Sequence, residues 1–302
     1  MKKALWVVVL LLAALGIYAC GYEPAYRGLV TAPPRPLVFS HRGLGDHAPD
    51  NSLIASQLAM DQGMDGVDVD GQLSRDGEFV IFHDLSVDRL TTATGKVSSK
   101  TLAELRALDL GEKFGGDFRG RAFVATFEDF VREITPRGLL MVELKAPGAG
   151  ASGIEEAAAA VIAKYDVYDQ VYLSSFNPLV LYRLKKIDPR IRTVFIFMDT
   201  NWNPELLAEI KPEDLVNLPW LLRQEFARRA IRKLIRPDAL SVNHEVDPRT
   251  IATLRRHGWP LFLWTIDDEA RLTWALDQAP MGVISDEAGV AKRLRDARTP
   301  AP

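Results

Sequence analysis

Residues 66–84, with the sequence GVDVDGQLSRDGEFVIFHD, decide how the fold is interpreted. Two runs rich in β-branched and aromatic residues, Gly66–Asp70 and Glu78–His83, predict two strands. The residues between them are too few for a helix, and the dipeptide Asp76-Gly77 is a strong signal for a tight turn. The sequence therefore predicts an antiparallel hairpin at this point of the chain.

The hairpin also predicts which side chains face each other across the two strands. If the Asp76-Gly77 dipeptide forms a two-residue loop, counting outward along both strands places Asp70 opposite His83. A carboxylate and an imidazole are then expected side by side, from the strand register alone.

Outside the hairpin, short apolar strands alternate with longer amphipathic helices. The other predicted strands are Leu37–Ser40, Leu139–Leu144, Val171–Ser174, Thr193–Phe197, Ala239–Val242, Leu261–Thr265 and, as a ninth possibility, Gly282–Ser285. The predicted helices are Ser52–Gln62, Thr101–Leu108, Thr126–Ile134, Ile154–Lys164, Pro178–Ile187, Trp220–Ile235, Pro248–His257 and Glu269–Gln278. Such alternation indicates an α/β fold, and about eight units in about 260 residues match a TIM (β/α)8 barrel.

The bulk composition is that of an ordinary globular protein. The chain has 302 residues, 47% of them hydrophobic and 25% charged, with a net charge of −3. This charge offers no basic field for nucleic acid, so no nucleic-acid partner is expected. Cys20 is the only cysteine, and an intrachain disulfide is therefore excluded.

The N-terminus predicts attachment to a membrane. Two lysines precede the apolar run Ala4–Ala19, which would span roughly 24 Å as a helix and is followed by Cys20. A cleaved secretory signal, a lipobox ending at Cys20 and an uncleaved anchor all remain open. Residues 1–20 are assigned to this segment and residues 21–36, rich in proline, to a linker. We expect a membrane-anchored protein with its catalytic domain, residues 37–296, outside the cytoplasm and a tail at 297–302.

Polar residues follow the predicted strands at the places where barrel strands end. These residues are His41, Arg42, Asp68, Asp70, His83, Asp84, Glu143 and Lys145. Active sites of TIM barrels form at the C-terminal ends of the strands, so these side chains should converge. Any one of them could be a structural or surface residue, but such an explanation would have to hold for all of them at once.

The charges of these residues point to phosphate chemistry. Asp68 and Asp70 lie two apart on a strand and face the same way, and Glu143 would add a third carboxylate. Three anions in one cavity call for a cation, and oxygen ligands suit Mg²⁺ or Ca²⁺. Basic side chains beside that cation would hold a phosphate, and two histidines could act as acid and base.

The remaining histidines lack such neighbours. His47 and His257 are predicted as surface or loop residues, and His244 as a candidate for supporting the site.

The ordered set of motifs resembles that of the glycerophosphodiester phosphodiesterase family, from Leu37 to about Asp286. The motifs are His41-Arg42-Gly43, Ala48-Pro49-Asp50-Asn51-Ser52, Asp68-Val69-Asp70, Asp76-Gly77, His83-Asp84 with Arg89 and Thr91, Glu143-Leu144-Lys145, Trp264-Thr265 and Ile284-Ser285-Asp286. The resemblance implies a TIM barrel with a small insertion after the third strand, at about residues 85–125.

The resemblance also implies a role for each site residue. His41 and His83 match the catalytic acid/base pair, and Arg42 and Lys145 match the phosphate contacts. The metal ligands, for Mg²⁺ or Ca²⁺, are matched by Asp68, Asp70 and Glu143. The side chains expected to support these groups are Asp50, Asn51, Asp84 and Trp264.

This chain departs from the family pattern at three positions. Asp68 stands where the first metal ligand is usually glutamate, Asp50 replaces a glutamate that braces the site, and Glu287 stands where proline is common. These departures bear on metal affinity and substrate choice.

The activity implied is metal-dependent hydrolysis of glycerophosphodiesters to sn-glycerol 3-phosphate and an alcohol, in phospholipid breakdown. One alternative is a lysophospholipase D acting on acyl-bearing substrates, and another is a degenerate, membrane-tethered protein that binds a phosphodiester without cutting it.

An apolar loop in the sequence is the feature that supports the lysophospholipase D alternative. The loop after Phe197 contains Trp202, Leu206, Leu207, Leu215, Leu218 and Trp220. In the helix that follows, one arc is apolar with Phe226, Ala227, Ala230, Ile231 and Leu234, and the other is basic with Arg228, Arg229, Arg232, Lys233 and Arg236. This pattern has two explanations. In the simpler one, the apolar arc packs on the barrel. In the other, the loop and the basic arc contact an anionic lipid surface.

Overall fold

Eight parallel strands close into a barrel in the computed structural model, which describes residues 16, 18, 23–146, 148, 150–198 and 224–298. The barrel strands are β1 Leu37–His41, β2 Gly66–Leu73, β4 Leu139–Leu144, β5 Val171–Ser175, β6 Arg192–Phe197, β7 Ala239–Asn243, β8 Leu261–Trp264 and β9 Gly282–Ser285. Strand β1 pairs in parallel with both β2 and β9, which closes the ring. The predicted TIM barrel is confirmed, and Gly282–Ser285 is its eighth strand.

The helices cover the outside of the barrel. They are α1 Leu53–Asp61, α2 Leu102–Arg106, α3 Gly111–Phe114, α4 Phe127–Ile134, α5 Ile154–Tyr165, α6 Pro178–Ile187, α7 Glu225–Ile235, α8 Pro248–Arg256, α9 Glu269–Asp277 and α10 Ala288–Arg298. Capping side chains begin several of them, because Ser52 accepts a hydrogen bond from Ala55 N and Thr126 forms a capping box with Asp129. Helices α3 and α10 were not among the predicted elements.

The hairpin forms as predicted, but its register is displaced by one residue. Strand β3, Phe79–Ile81, is antiparallel to β2, and Gly71 lies opposite Ile81, so Asp70 is level with Phe82 and not with His83. The cause is a loop of three residues ending at Gly77, whose φ of 82° is the left-handed conformation that closes such loops. The predicted Asp70–His83 pairing is therefore wrong by one position, although the two groups remain close enough to interact electrostatically.

The segment between β3 and α4 has an apolar core of its own. It contains α2 and α3, and a second cluster of buried side chains forms beneath them from Val80, Phe82, Val87, Leu90, Val97, Leu105, Leu110, Ala122 and Val124. The small insertion that was expected at about residues 85–125 lies here, beside the C-terminal end of the barrel.

Helix α7 buries part of its predicted basic arc together with part of its apolar arc. Arg228 and Arg232 are buried, whereas Phe226 and Leu234 are exposed. The two guanidinium groups lie over the ring of Phe197, at 4.8 and 5.7 Å from its centre. Stacking and the nearby carboxylates satisfy both cations, and the predicted split into an apolar inner face and a basic outer face is wrong.

Residues 23–36, predicted as a linker, lie across the N-terminal end of the barrel and are called the strap below. Glu23 is 4% exposed and accepts a hydrogen bond of 2.9 Å from Arg232 Nε. Tyr26 packs on Trp259 with ring centres 5.5 Å apart, and Val30 is buried with the side chains that fill the bottom of the barrel. An ion pair and two apolar contacts therefore hold this proline-rich segment in place.

The apolar N-terminal run and the apolar loop fall outside the described residues. Of Ala4–Ala19 only Gly16 and Tyr18 are described, and the loop that holds Trp202, Leu206 and Leu207 is not. Within the part of the chain that is described, no helix has both the length and the apolar character needed to cross a membrane.

Replacing Glu23 by alanine is expected to destabilise the protein by roughly 2 kcal/mol, because the buried Arg232 guanidinium loses one of its two carboxylate partners and keeps only Glu225. The matched control is Glu269→Ala, whose pair with Arg293 is exposed and should be worth at most about 1 kcal/mol. Chemical denaturation of the two variants measures the difference. Equal stability of both variants would show that the strap is not held by this pair.

Candidate active site

The predicted site residues meet at the C-terminal ends of β1, β2 and β4. His41 is the register partner of Asp68 on the neighbouring strand, and Asp70 is the partner of Glu143. Lys145 follows β4 directly, and its Nζ lies 3.2 Å from Asp70 Oδ1 and 3.4 Å from Glu143 Oε1. Strand geometry therefore brings the carboxylates and their counter-charge to one place.

Each of the two candidate histidines uses Nδ1 to contact a carboxylate. His41 Nδ1 lies 2.9 Å from Asp286 Oδ1, and His83 Nδ1 lies 2.7 Å from Asp84 Oδ1. Arg89 in turn donates to Asp84 Oδ2 at 2.6 Å. These contacts orient both rings and leave Nε2 of each as the atom that can exchange a proton with a substrate.

The environments of the two rings move their pKa values apart. Burial is the largest effect and lowers the pKa of His41, but the hydrogen bond to Asp286 together with the negative charges of Asp286 and Asp68 outweighs it, and the pKa is raised overall. Burial and the Lys145 ammonium lower the pKa of His83 despite the opposing charge of Asp70. His41 therefore tends to carry a proton where His83 does not, which is the arrangement that an acid and a base require.

Of the three predicted metal ligands, Asp70 is buried and Asp68 and Glu143 are half-buried, and the three differ in charge. Burial raises the pKa of Asp68 to about 8 and that of Glu143 to about 7, while Lys145 and neighbouring cations hold the pKa of Asp70 far below its usual range. Two of the three carboxyls thus lack a sufficient counter-charge.

These residues fit a divalent cation by the chemistry of their donors. The three carboxyl groups offer oxygen ligands and have too little positive charge near them. Mg²⁺ or Ca²⁺ would bind these oxygens and balance their negative charge. In the described part of the chain, no three His, Cys, Asp or Glu side chains are already spaced as metal ligands. Lys145 Nζ, close to both Asp70 and Glu143, is the charge that holds these carboxylates here.

A network of hydrogen bonds supports the site from the loop after β1. Asn51 is fully buried and exchanges two hydrogen bonds with Asp70, at 2.8 Å to the backbone nitrogen and 3.2 Å to Oδ2. Asp50 accepts from Arg42 at 3.2 Å and from Arg89 at 2.8 Å. Both Arg42 and Asn51 have positive φ, an uncommon conformation that this network maintains. Asp50, Asn51 and Asp84 thus contact site residues.

The other two sequence candidates, Trp264 and His244, contact residues outside this network. Trp264 ends β8 and packs edge-on against Phe176, with ring centres 5.8 Å apart. His244 follows β7 and accepts a hydrogen bond of 2.9 Å from Arg271.

Of the two remaining histidines, one is exposed and the other half-buried. His47 is exposed beside Glu287, and His257 caps the end of α8 with a hydrogen bond to Thr253 O.

Asp286 contacts His41 in the structure, although no role was predicted for Asp286 from the sequence. The motif Ile284-Ser285-Asp286 had been noted, and Asp286 follows β9, which neighbours β1. A carboxylate directly after a barrel strand was the available signal. Only closure of the barrel shows that it faces His41, because 245 residues separate the two.

The fold and site together define a class of enzyme, a TIM-barrel hydrolase built to act on an anionic ester. The model of the glycerophosphoryl diester phosphodiesterase family matches residues 41–290. The chain belongs to this family and is a phosphoric diester hydrolase, as the sequence predicted.

Individual relatives agree with the family match. The chain is 30% identical to a glycerophosphodiester phosphodiesterase of Caldanaerobacter subterraneus subsp. tengcongensis, covering 83% of this chain and 94% of that protein. It is 24% identical to one from Bacillus subtilis, over 94% and 95% of the two chains. A solved phosphodiesterase from Oleispira antarctica, in complex with the product sn-glycerol-3-phosphate, is 26% identical and superposes with a TM-score of 0.70, covering 87% of this chain and 97% of that one.

Proposed function

We propose that this protein hydrolyses glycerophosphodiesters to sn-glycerol 3-phosphate and an alcohol, with a divalent cation, as a step in phospholipid breakdown. The names of its relatives and the product bound in the Oleispira antarctica enzyme support this substrate class. The observation that carries the proposal is the pair of carboxylate-bound histidines with oppositely shifted pKa values.

The histidines divide the proton transfers between them. His83, held neutral, would take a proton through Nε2 from the 2-hydroxyl of the substrate's glycerol as that oxygen attacks phosphorus. Water would then open the cyclic phosphate that forms. His41, held protonated by Asp286, would give a proton to the oxygen of the departing alcohol. The opposite shifts make each group ready for its task before the substrate arrives.

The cations of the site would bind the phosphate. Arg42 and Lys145 would bind its oxygens, and the ion pair with Asp50 positions Arg42 for this contact. Asp68, Asp70 and Glu143 would hold the divalent ion, which supplies positive charge against the phosphate when it is bound.

An assay of glycerol 3-phosphate release tests the function. Glycerophosphocholine, glycerophosphoethanolamine, glycerophosphoglycerol and lysophospholipids are compared with Mg²⁺, with Ca²⁺ and with EDTA. Release from the water-soluble diesters supports the proposal. Release from lysophospholipids alone would identify a lysophospholipase D, and binding without release would identify a degenerate binding protein.

Replacing Asp286 by asparagine is expected to lower the pKa of His41, because the main interaction that raises this pKa is lost. A general acid works only below its pKa, so the alkaline limb of the pH–rate profile should move to lower pH. The matched control is Glu287→Gln, the next residue, which contacts His47 and should leave the profile unchanged. Identical profiles for both variants and the parent would exclude a positioning role for Asp286.

Replacing Asp68 by glutamate is expected to favour Mg²⁺ over Ca²⁺. The shorter aspartate leaves a gap of about one C–C bond, which a larger ion with flexible geometry fills more easily. Activation constants for the two ions measure the change, and Asp117→Glu on the exposed surface is the control. Loss of activity with both ions would show that the pocket is already shaped for aspartate.

We also propose that residues 1–20 anchor the protein to a membrane with the catalytic domain outside the cytoplasm. The two lysines before the apolar run support this orientation. Fractionation tests it, because full-length protein recovered as soluble material with Met1 intact would refute the anchor. Palmitate labelling that disappears in Cys20→Ala would identify lipidation.

A further inference from the structure

A basic groove of about 490 Å³ lies far from the candidate active site, between the C-terminal ends of α6 and α7 and the strap. We call its projecting residues the basic rim, and they are Arg27, Leu29, Lys186, Lys233, Leu234 and Arg236. Among the described residues that line the groove, Asp238 is the only carboxylate. It is buried, and Lys185 Nζ lies 2.5 Å away, so its charge is already balanced.

Apolar side chains project among these cations. Leu234 is 66% exposed and Leu29 is 53% exposed, and Ile187 is exposed beside them at the end of α6. Basic residues in the last turn of a helix complement the helix dipole, which explains Lys186 and Lys233. The dipole explains neither Arg27 on the strap nor the exposed leucines. Leucine side chains that project from a ring of cations are typical of contact with an anionic phospholipid surface.

Described residues near the N-terminus contact helix α7 and the same rim. Glu23 is held by Arg232, and Lys233 Nζ donates to the carbonyl of Tyr18. The strap also donates from Leu29 N to Asp238, which directly precedes β7 at the N-terminal end of the barrel. Tyr18 and the strap therefore lie beside the basic rim.

The candidate active site occupies the opposite end. Its residues follow the C-terminal ends of β1, β2 and β4, whereas Leu29 of the strap and its partner Asp238 lie where the strands begin. A strand of five residues such as β1 separates these ends by about 15 Å, at roughly 3.3 Å per residue.

We propose that the basic rim is the surface on which the protein lies against an anionic phospholipid membrane, with the C-terminal end of the barrel facing the water. The proposal rests on the hydrolase function proposed above and extends it to the substrate class. A site turned away from the bilayer takes glycerophosphodiesters from solution rather than acyl-bearing lipids from the membrane.

Lysine footprinting of the full-length chain tests the orientation. The protein is placed in nanodiscs of phosphatidylcholine alone or with phosphatidylglycerol, treated with a soluble acetylating reagent and analysed by mass spectrometry. Acetylation of Lys186 should fall about fivefold in the anionic discs, the effect expected for one basic residue at such a surface. Lys96, exposed on the segment after β3, should react equally in both. Protection of Lys96 in place of Lys186, or no change at Lys186, would overturn the proposal.

Charge reversal supplies the matched comparison. The double variant Arg27→Glu with Arg236→Glu should restore the acetylation of Lys186 in anionic discs. Lys96→Glu with Arg119→Glu carries the same change in net charge on another surface and should not. If both variants behave alike, net charge governs the result and the rim is not the contact.

Two further measurements separate the possible explanations. A DNA oligonucleotide that protects Lys186 where phosphatidylglycerol does not would indicate a soluble polyanionic partner and refute the membrane surface. Turnover of glycerophosphocholine, measured in the same samples, should be unchanged in both double variants. Activity without protection would overturn the orientation alone, whereas absence of activity in the parent would count against the proposed function.

Discussion

Replacing either His41 or His83 by alanine is expected to lower turnover of a glycerophosphodiester by roughly 10²–10⁴, the usual contribution of a positioned acid or base. Each ring is fixed by one short contact, from His41 to Asp286 and from His83 to Asp84. Because the two pKa values are shifted in opposite directions, neither histidine can take over the task of the other at a single pH. Steady-state kinetics of glycerol 3-phosphate release measure both losses.

The control for these variants is His47→Ala. His47 lies on the surface next to the site, and its contact is Glu287, so its removal should leave turnover within about twofold of the parent. Metal binding and thermal stability of all three variants are compared to exclude unfolding. Near-normal turnover in His41→Ala or His83→Ala would contradict the assignment of that residue.

Exhaustive removal of divalent cations is expected to abolish activity, and Mg²⁺ or Ca²⁺ should restore it. Asp70→Asn and Glu143→Gln keep the shape of the side chains but remove charged ligands. Each should weaken the apparent metal affinity by more than about 100-fold, since losing even a group that only orients a ligand costs roughly 10–100-fold. Calorimetric titration of the ion measures affinity independently of turnover.

Asp117→Asn, on the exposed surface, is the control for the loss of one carboxylate. It should bind the ion as the parent does. Full activity after prolonged chelation with EDTA would contradict the metal site as a whole, whereas unchanged affinity in one variant would remove only that ligand.

The amino-acid sequence was sufficient to predict the barrel and most of the site. Strands such as Leu139–Leu144 and Gly282–Ser285 were predicted at the bounds that the structure has, because their apolar β-branched runs are sharply bounded by turn residues. The positions of Asp68, Glu143 and Lys145 at strand ends followed from the same pattern, since polar residues interrupt otherwise apolar strands there. These features are local, and local sequence determines them.

Other features depend on groups that meet only in the folded chain. The hairpin register changed by one residue because Gly77 adopts a left-handed conformation in a three-residue loop, which the Asp-Gly signal does not distinguish from a two-residue loop. Helix α7 buries Arg228 and Arg232 because Phe197 and the distant Glu23 receive them together with Glu225 of the same helix. The periodicity of the helix alone does not show these partners.

The sequence by itself thus determined the barrel, the family and the residues that converge on the site. The tertiary structure decided that Asp286 holds His41 and that the strap lies at the end opposite the site. The physical reason is that Asp286 reaches His41, and Glu23 reaches Arg232, only after the barrel has closed and the strap has packed against it, across 245 and 209 residues of sequence.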